Sequence, residues 1–297
     1  MRGLLLRAGL NAADQVARLL PRGVAYDLAD LAGRAWHRFA PRRRALVTAN
    51  LARVSAALGR PAEGPALRRL VRRAFIEHAR YYLEMVRLPH ESVERIGQMV
   101  SADEWDSWRD VFAAGAVVAT LHLGNFEPYG SFLAANGLKA VVPVEEIEPR
   151  ELYEFLLARR ATGRGVEMIP VSRARRPMVA ALRKGGLVGI AADRDLSGDG
   201  QPVRLFGHPT TLPTGPASLA VMTGRPLVAA ACWRIGQERF HARGWPVEVP
   251  SSGDRRADVG AATEALARRF EEAIAATPEQ WFAVFQRIWP DLDGSQS

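Results

Sequence analysis

His122 and Glu127 stand five positions apart in Thr120-Leu-His-Leu-Gly-Asn-Phe-Glu-Pro-Tyr129, directly after the apolar run Ala116-Val117-Val118-Ala119. Imidazole ordinarily titrates near neutrality, and a carboxylate beside it can orient the ring. Such a pair can take a proton from a hydroxyl group. The apolar run predicts a buried strand over 116–121. Asn125 predicts an N-cap, with Phe126 the first helical residue and Pro128 in the first turn, where its missing N–H costs nothing. His122 then falls in the strand-to-helix turn, where the chain can fold Glu127 back toward the ring. Inside one continuous helix, residues five apart point about 140° away from each other. Near the positive end of the helix Glu127 stays ionised, which suits an orienter better than an acid. Gly124 removes a side chain where substrate would approach. The N–H groups of the helix start are expected to be open to negative charge developing on a carbonyl oxygen.

The elements that must position these groups fall into two stretches. Before residue 90, helical spacing predicts helices over 3–20, 24–39, 43–58 and 65–87, the last on Leu67, Leu70, Val71, Ala74, Phe75, Ala79, Tyr82 and Leu83. From 103 the rhythm alternates. Helices are expected over 103–114 (capped by Ser101), 126–135, 149–162, 174–184, 214–223 and 257–276. Strands are expected over 116–121, 138–144, 166–170, 187–191 and 227–232, with a hairpin near 238–248 and a loop over 193–213. Short apolar strands separated by helices imply an α/β fold with a mostly parallel central sheet flanked by helices and an N-terminal helical region. Two regions are expected: 1–100, basic, amphipathic and helical, packed on the core, and 101–290, the α/β core, the two forming one continuous domain.

The 297 residues carry a formal net charge of +8, unevenly spread. Residues 1–90 hold 17 Arg against 6 Asp/Glu, a net of +11, and the remainder is at −3. A basic front end on a near-neutral body points to a polyanionic surface as partner. With no aromatic stacking platform or reader motif, nucleic acid is not expected, leaving an anionic membrane surface. No apolar run reaches the ~18–20 residues needed to span a bilayer, so peripheral attachment is expected. The bland alternative is a helical subdomain whose arginines face water. One cysteine, Cys232, excludes an internal disulfide framework and reads as a small core residue. No His/Cys/acid cluster has zinc-ligand spacing, so no metal is expected.

The segment His122-Leu-Gly-Asn-Phe-Glu127 resembles the HX4D/E signature of the lysophospholipid acyltransferase superfamily, in the branch of the bacterial lipid A late acyltransferases. Ala192-Asp193-Arg194-Asp195-Leu196, Leu205-Phe206-Gly207 and Leu212-Pro213-Thr214-Gly215-Pro216-Ala217 resemble that branch in order and spacing. Within it, the likeness leans to the actinobacterial phosphatidylinositol mannoside acyltransferases and spans roughly residues 40–290. The resemblance implies transfer of a fatty acyl group, palmitoyl above others, from acyl-CoA (or acyl carrier protein) to a mannose hydroxyl of phosphatidylinositol mannosides. The place implied is the cytoplasmic face of the cell membrane, with acyl-CoA as a co-substrate and no bound cofactor. A lipid A-type acceptor and a non-catalytic lipid-binding protein are the alternatives.

In that mechanism His122 deprotonates the acceptor hydroxyl, which attacks the thioester directly, while Glu127 or a second acid holds the imidazole. No Gly-x-Ser-x-Gly elbow supplies a serine nucleophile. The resemblance implies the second acid at Asp193 or Asp195. Asp193, directly after the strand 187–191, is the better placed for a site at the sheet's end; Asp195 also fits loop chemistry. Arg194 could equally bind phosphate or neutralise its acidic neighbours, and the resemblance implies a further arginine for CoA or headgroup phosphate at Arg159 or Arg160. Asn125 is a further candidate on the substrate side. Glu145 and Glu146 are candidates for sugar hydroxyls, with a charged turn as the plainer reading. Arg173, Arg175 and Arg176 form a basic cluster that suits nucleotide phosphates or a solvated helix start. His78 reads as packing, and His37, His90, His208 and His241 show no partner pattern.

Overall fold

The computed structural model describes residues 2–160, 165–195 and 198–292. Four helices come first: α1 (Arg2–Leu19), α2 (Arg22–Phe39), α3 (Pro41–Ala57) and α4 (Gly64–Arg87). A short helix α5 (Val93–Met99) and strand β1 (Val100–Ala102) follow, neither foreseen from the sequence. Then come α6 (Trp105–Ala113), β2 (Val117–Gly124), α7 (Glu127–Ala135), β3 (Ala140–Val144), α8 (Arg150–Arg160), β4 (Val166–Pro170), α9 (Arg175–Arg183) and β5 (Leu187–Ala191). The chain closes with β6 (Gln201–Leu205), β7 (His208–Leu212), α10 (Gly215–Thr223), β8 (Leu227–Gly236), β9 (Arg239–Val247) and α11 (Arg255–Ala276).

Seven strands form one sheet in the order β1-β9-β8-β2-β5-β3-β4. The run β8-β2-β5-β3-β4 is parallel throughout. β9 returns antiparallel to β8, and β1 pairs parallel to β9. The expected mostly parallel α/β fold is therefore observed. β2 lies in the middle, between β5 and β8, so its side chains are buried on both faces. Val117, Ala119, Leu121 and Leu123 face one apolar cluster, shared with Val47, Leu51 and Phe75 of α3 and α4 and with Leu266 and Phe270 of α11. Ala116 and Val118 face the other, with Ile96 of α5, Phe112 of α6 and Phe132 of α7.

Three expectations change. The segment 193–213, read as loop from its Gly, Pro and Asp content, contains the two-stranded β6–β7 hairpin. Its turn residues Phe206 (φ 52°) and Gly207 (φ 77°) both lie at positive φ, the geometry of a two-residue hairpin loop. The third helix begins at Pro41, which opens its first turn, rather than at residue 43. Ser101 does not cap α6; its hydroxyl bonds the Phe240 carbonyl, and Glu104 (φ 51°) starts the helix.

Candidate active site

The site forms at the carboxyl end of the parallel strands, where open α/β sheets leave a crevice. The strand β2 runs through His122 to Gly124, three residues beyond the expected end, so His122 is a strand residue and not a turn residue. A register shift against β8 between Thr120 and Gly124 accommodates the extension. The His122 ring is one-third exposed, while the Asp193 carboxyl is 1% exposed.

Asp193 follows β5, the neighbour of β2, and its carboxylate meets His122 twice. Its Oδ1 lies 2.7 Å from His122 Nδ1, and its Oδ2 accepts the His122 backbone N–H at 3.0 Å. A third donor, the indole N–H of Trp281, reaches Oδ2 at 2.8 Å. Burial by itself would push this carboxyl up; the charge of His122 and the donated bonds outweigh burial and hold it below the ordinary aspartate range. An ionised carboxylate only accepts, so Nδ1 carries a proton, and Nε2 is the nitrogen whose lone pair the neutral ring offers for chemistry. Of the two acids expected to hold the imidazole, Asp193 is the one in hydrogen-bond contact with Nδ1. Glu127 is the first residue of α7, and its N–H donates to Asn125 Oδ1 at 3.1 Å.

Gly124 and Asn125 are both engaged with the scaffold. Gly124 adopts φ 64°, and a Cβ there would meet the Cys232 carbonyl oxygen at 2.3 Å and Trp233 Cα at 2.4 Å. The glycine thus admits the β8 backbone, correcting the expectation that it leaves room for substrate. Asn125 is fully buried. Its N–H donates to the Cys232 carbonyl at 2.8 Å, and its side-chain amide donates to Glu84 Oε2 at 2.9 Å. The N-cap position falls on Phe126 and not on Asn125 as expected, although Asn125, one residue earlier, accepts the Glu127 N–H.

The first turn of α7 is also not the open donor set foreseen. The Glu127 N–H is taken by Asn125, Pro128 has none, and the Gly130 N–H bonds the Phe126 carbonyl at 3.4 Å.

Beneath the motif lies a buried polar network that sequence inspection missed. Arg234 of β8 is 6% exposed and bonds Glu84 Oε1 through Nε at 2.5 Å; it also pairs with Glu77. Tyr26 of α2 donates to Glu84 at 2.7 Å. Glu84 thus joins α2, α4, β8 and the Asn125 of the motif. Only the unusual polar positions in an otherwise amphipathic α4 and an apolar β8 hint at this in the sequence.

The remaining candidates spread around the crevice. The Arg194 guanidinium lies 4.0 Å from Glu145, and its Nε is buried without a hydrogen-bond partner among the described residues. Glu146 accepts from Ser172 at 3.0 Å, and the Asp195 carboxylate accepts the Gly198 and Gly200 N–H groups, each at 2.9 Å. Asp195 therefore holds its own loop and Asp193 reaches the imidazole. Arg159 and Arg160 end α8, and their side chains lie outside the described residues. Arg173, Arg175 and Arg176 are exposed. Cys232 is buried, and burial raises its thiol pKa, as suits a core residue. Two histidines do have partners: His90 bonds Asp14 at 2.9 Å and His241 bonds Asp103 at 3.2 Å. A cleft of about 620 Å³ opens at the opposite, amino-terminal end of β3–β5, around Lys139, Gly165 and Lys184, away from this chemistry.

The family model for the bacterial lipid A biosynthesis acyltransferases matches residues 9–289, nearly the whole chain. The chain belongs to that family. Among its acyltransferase relatives, the phosphatidylinositol mannoside acyltransferase of Mycobacterium tuberculosis (strain CDC 1551 / Oshkosh) is 34% identical over 231 residues, covering 74% of this chain and 70% of that one. The protein of the same name from Mycolicibacterium smegmatis is 34% identical over 251 residues, covering 82% and 79%. The crystal structure of the 1-acyl-sn-glycerophosphate acyltransferase PlsC from Thermotoga maritima aligns over 85% of this chain and 98% of its own, at 14% identity and a TM-score of 0.37. Among the described residues of this acyltransferase, no helix is long and apolar enough to cross a membrane.

Proposed function

We propose that this acyltransferase moves a fatty acyl group, palmitoyl above others, from acyl-CoA to a mannose hydroxyl of phosphatidylinositol mannosides at the inner leaflet. The observation that carries the reading is the His122–Asp193 pair: an imidazole with Nδ1 committed to a buried carboxylate and Nε2 left for a substrate proton. The acceptor hydroxyl gives its proton to Nε2 as its oxygen attacks the thioester carbon. The tetrahedral intermediate then collapses, the C–S bond breaks, and the proton passes from Nε2 to the departing thiolate. No acyl-enzyme forms, and a ternary complex is required. Arg194, with its unpartnered Nε, and the exposed Glu145 flank the crevice as groups for phosphate and sugar hydroxyls. Glu127 contributes negative charge at the positive end of α7. Two relatives at 34% identity, named for this reaction, support the choice of acceptor.

An apolar groove of about 480 Å³ between α1, α2 and α4 supports peripheral attachment. It is lined by Val16, Leu20, Leu28, Trp36, Tyr82 and Leu83. Exposed Leu19, Leu31 and Phe39 extend the apolar surface of α1 and α2, and Arg18, Arg34, Arg38 and Arg42 are exposed on the same stretch of chain. That combination suits an interfacial surface on anionic lipid.

The test is to incubate the purified protein with labelled palmitoyl-CoA and a panel of mannosylated phosphatidylinositols and Kdo-bearing disaccharide lipids, then identify the product. An acylated mannose is the expected result. Acylation of the Kdo-bearing lipid alone, or of nothing, overturns the proposal.

A further inference from the structure

We infer that Trp281 is a positioning residue for this acyl transfer: its indole N–H occupies one oxygen of Asp193 and leaves the other to fix the His122 ring. The inference rests on the proposed reaction only for its kinetic consequence. Trp281 lies 88 positions from Asp193, between two short 3-10 turns, Pro278–Gln280 and Phe282–Phe285. Two neighbours lock its backbone. Gln280, 6% exposed, pairs its side-chain amide with Arg234 of β8, accepting the Arg234 N–H at 2.8 Å and donating to the Arg234 carbonyl at 2.9 Å. Trp281 itself forms an antiparallel bridge to Leu123, the residue directly after His122. The segment is therefore registered against both β8 and β2, the strands that carry the site.

The ring is fully buried and packs edge-on to Trp289 with centroids 6.3 Å apart. Its N–H has one direction in which to point. Indole offers a single donor, no acceptor and no proton to exchange near neutrality. It can hold a carboxylate oxygen without competing for the imidazole proton. At Asp193, Oδ2 receives Trp281 Nε1 at 2.8 Å and the His122 N–H at 3.0 Å, so Oδ1 alone addresses Nδ1 at 2.7 Å. With the carboxyl only 1% exposed, water has no ready access to replace a lost donor.

The test compares wild type with Trp281→Phe, which keeps a ring and removes the donor. Two readouts are used: steady-state kinetics, and the titration of the ¹³C-labelled Asp193 carboxyl, assigned with Asp193→Asn. Loss of one donor to the charged form should move the Asp193 midpoint up by roughly one pH unit. It should lower kcat roughly tenfold with both KM values unchanged. A variant with unchanged kcat and an unchanged Asp193 midpoint overturns the inference. Should Trp281→Phe fail to fold, the wild-type protein carries the test through its Trp281 indole ¹⁵N–¹H resonance. That resonance should follow the Asp193 titration and shift in Asp193→Asn; insensitivity to both overturns the inference. A wild type without acyl transfer would overturn the proposed reaction instead, while the two resonance measurements still decide the clamp.

Discussion

Asp193 bonds both the side chain and the backbone of His122: Oδ1 lies 2.7 Å from Nδ1, and Oδ2 accepts the main-chain N–H at 3.0 Å. Ring and strand are thus referenced to one carboxylate, and the imidazole cannot turn without breaking its bond to Oδ1. The arrangement fixes the tautomer, with the proton on Nδ1 and Nε2 directed away from the acid, the orientation a general base requires.

Direct transfer predicts that acyl-CoA alone leaves the protein unmodified. Cys232 is buried with its thiol pKa raised by burial, so it offers no thiolate nucleophile. Intact-mass measurement after incubation with acyl-CoA and no acceptor should show the unmodified mass. A stoichiometric gain of one acyl group would contradict the mechanism.

The Glu84–Arg234–Glu77 network predicts a large stability effect at a site remote in sequence from the motif. Arg234→Met leaves the buried Glu84 without its cation and Glu77 with Arg80 alone, and should cost about 3–5 kcal/mol. Urea unfolding measures it. The triple change Arg234→Met, Glu84→Gln, Glu77→Gln should recover part of the loss, because no uncompensated charge remains. A single variant as stable as wild type would contradict the role given to the network.

Gly124→Ala should destabilise by at least about 2 kcal/mol, since it adds a Cβ 2.3 Å from the Cys232 carbonyl oxygen at positive φ. Substrate affinity in whatever fraction folds should be little changed. A stable variant with raised KM would return Gly124 to the substrate side.

His78 gives a pH dependence of stability. It stacks on Phe282 (4.5 Å, 8°) and Tyr82 (4.9 Å, 14°), and burial, aided by the charges of Arg43 and His122, lowers its pKa to about 3 from 6.5. Between those values the unfolded chain binds the extra proton, so stability rises with pH. The contribution is complete above about 6.5 and is lost as pH falls toward about 3. His78→Phe preserves the stack and removes this component. Urea midpoints of the two proteins should therefore converge toward neutral pH in slope and diverge below it, wild type falling faster. Parallel curves from pH 7 to 4 would contradict the assignment.

What could be read from sequence follows from how locally each feature is encoded. The strands β2, β5 and β8 announce themselves as apolar runs, and the helices between them by spacing, so the parallel sheet was legible. The end of β2 was not: Leu123 is buried in the core and Gly124 pairs with Cys232 across a register shift, a tertiary effect that carried His122 into the strand. The β6–β7 hairpin was hidden because its turn places a phenylalanine at positive φ, where composition favours Gly or Asn. Asp193 was legible as a strand-end acid, offered with Asp195 by the family resemblance, but the pairing of its strand with the motif's strand was not. Its partner Trp281, and the Glu84–Arg234 pair 150 positions apart, depend on strand order and on where the last segment docks. Sequence proximity alone favours Glu127 beside His122, whereas the contact with Asp193 spans 71 positions and depends on strand order.

The central claim is that Asp193 makes His122 a base by fixing its tautomer. The most direct measurement is kcat for acyl transfer by Asp193→Asn, set beside Asp195→Asn, with folding verified by circular dichroism and thermal unfolding. Asparagine keeps the shape but can present an amide donor to Nδ1, and a fall of roughly 10³–10⁴-fold is expected, by analogy with carboxylate-to-amide changes in other histidine bases. Asp195→Asn, which alters a carboxylate that accepts the Gly198 and Gly200 N–H groups of its own loop, should retain most of the rate. An Asp193→Asn protein that is folded and transfers acyl groups at the wild-type rate would contradict the account.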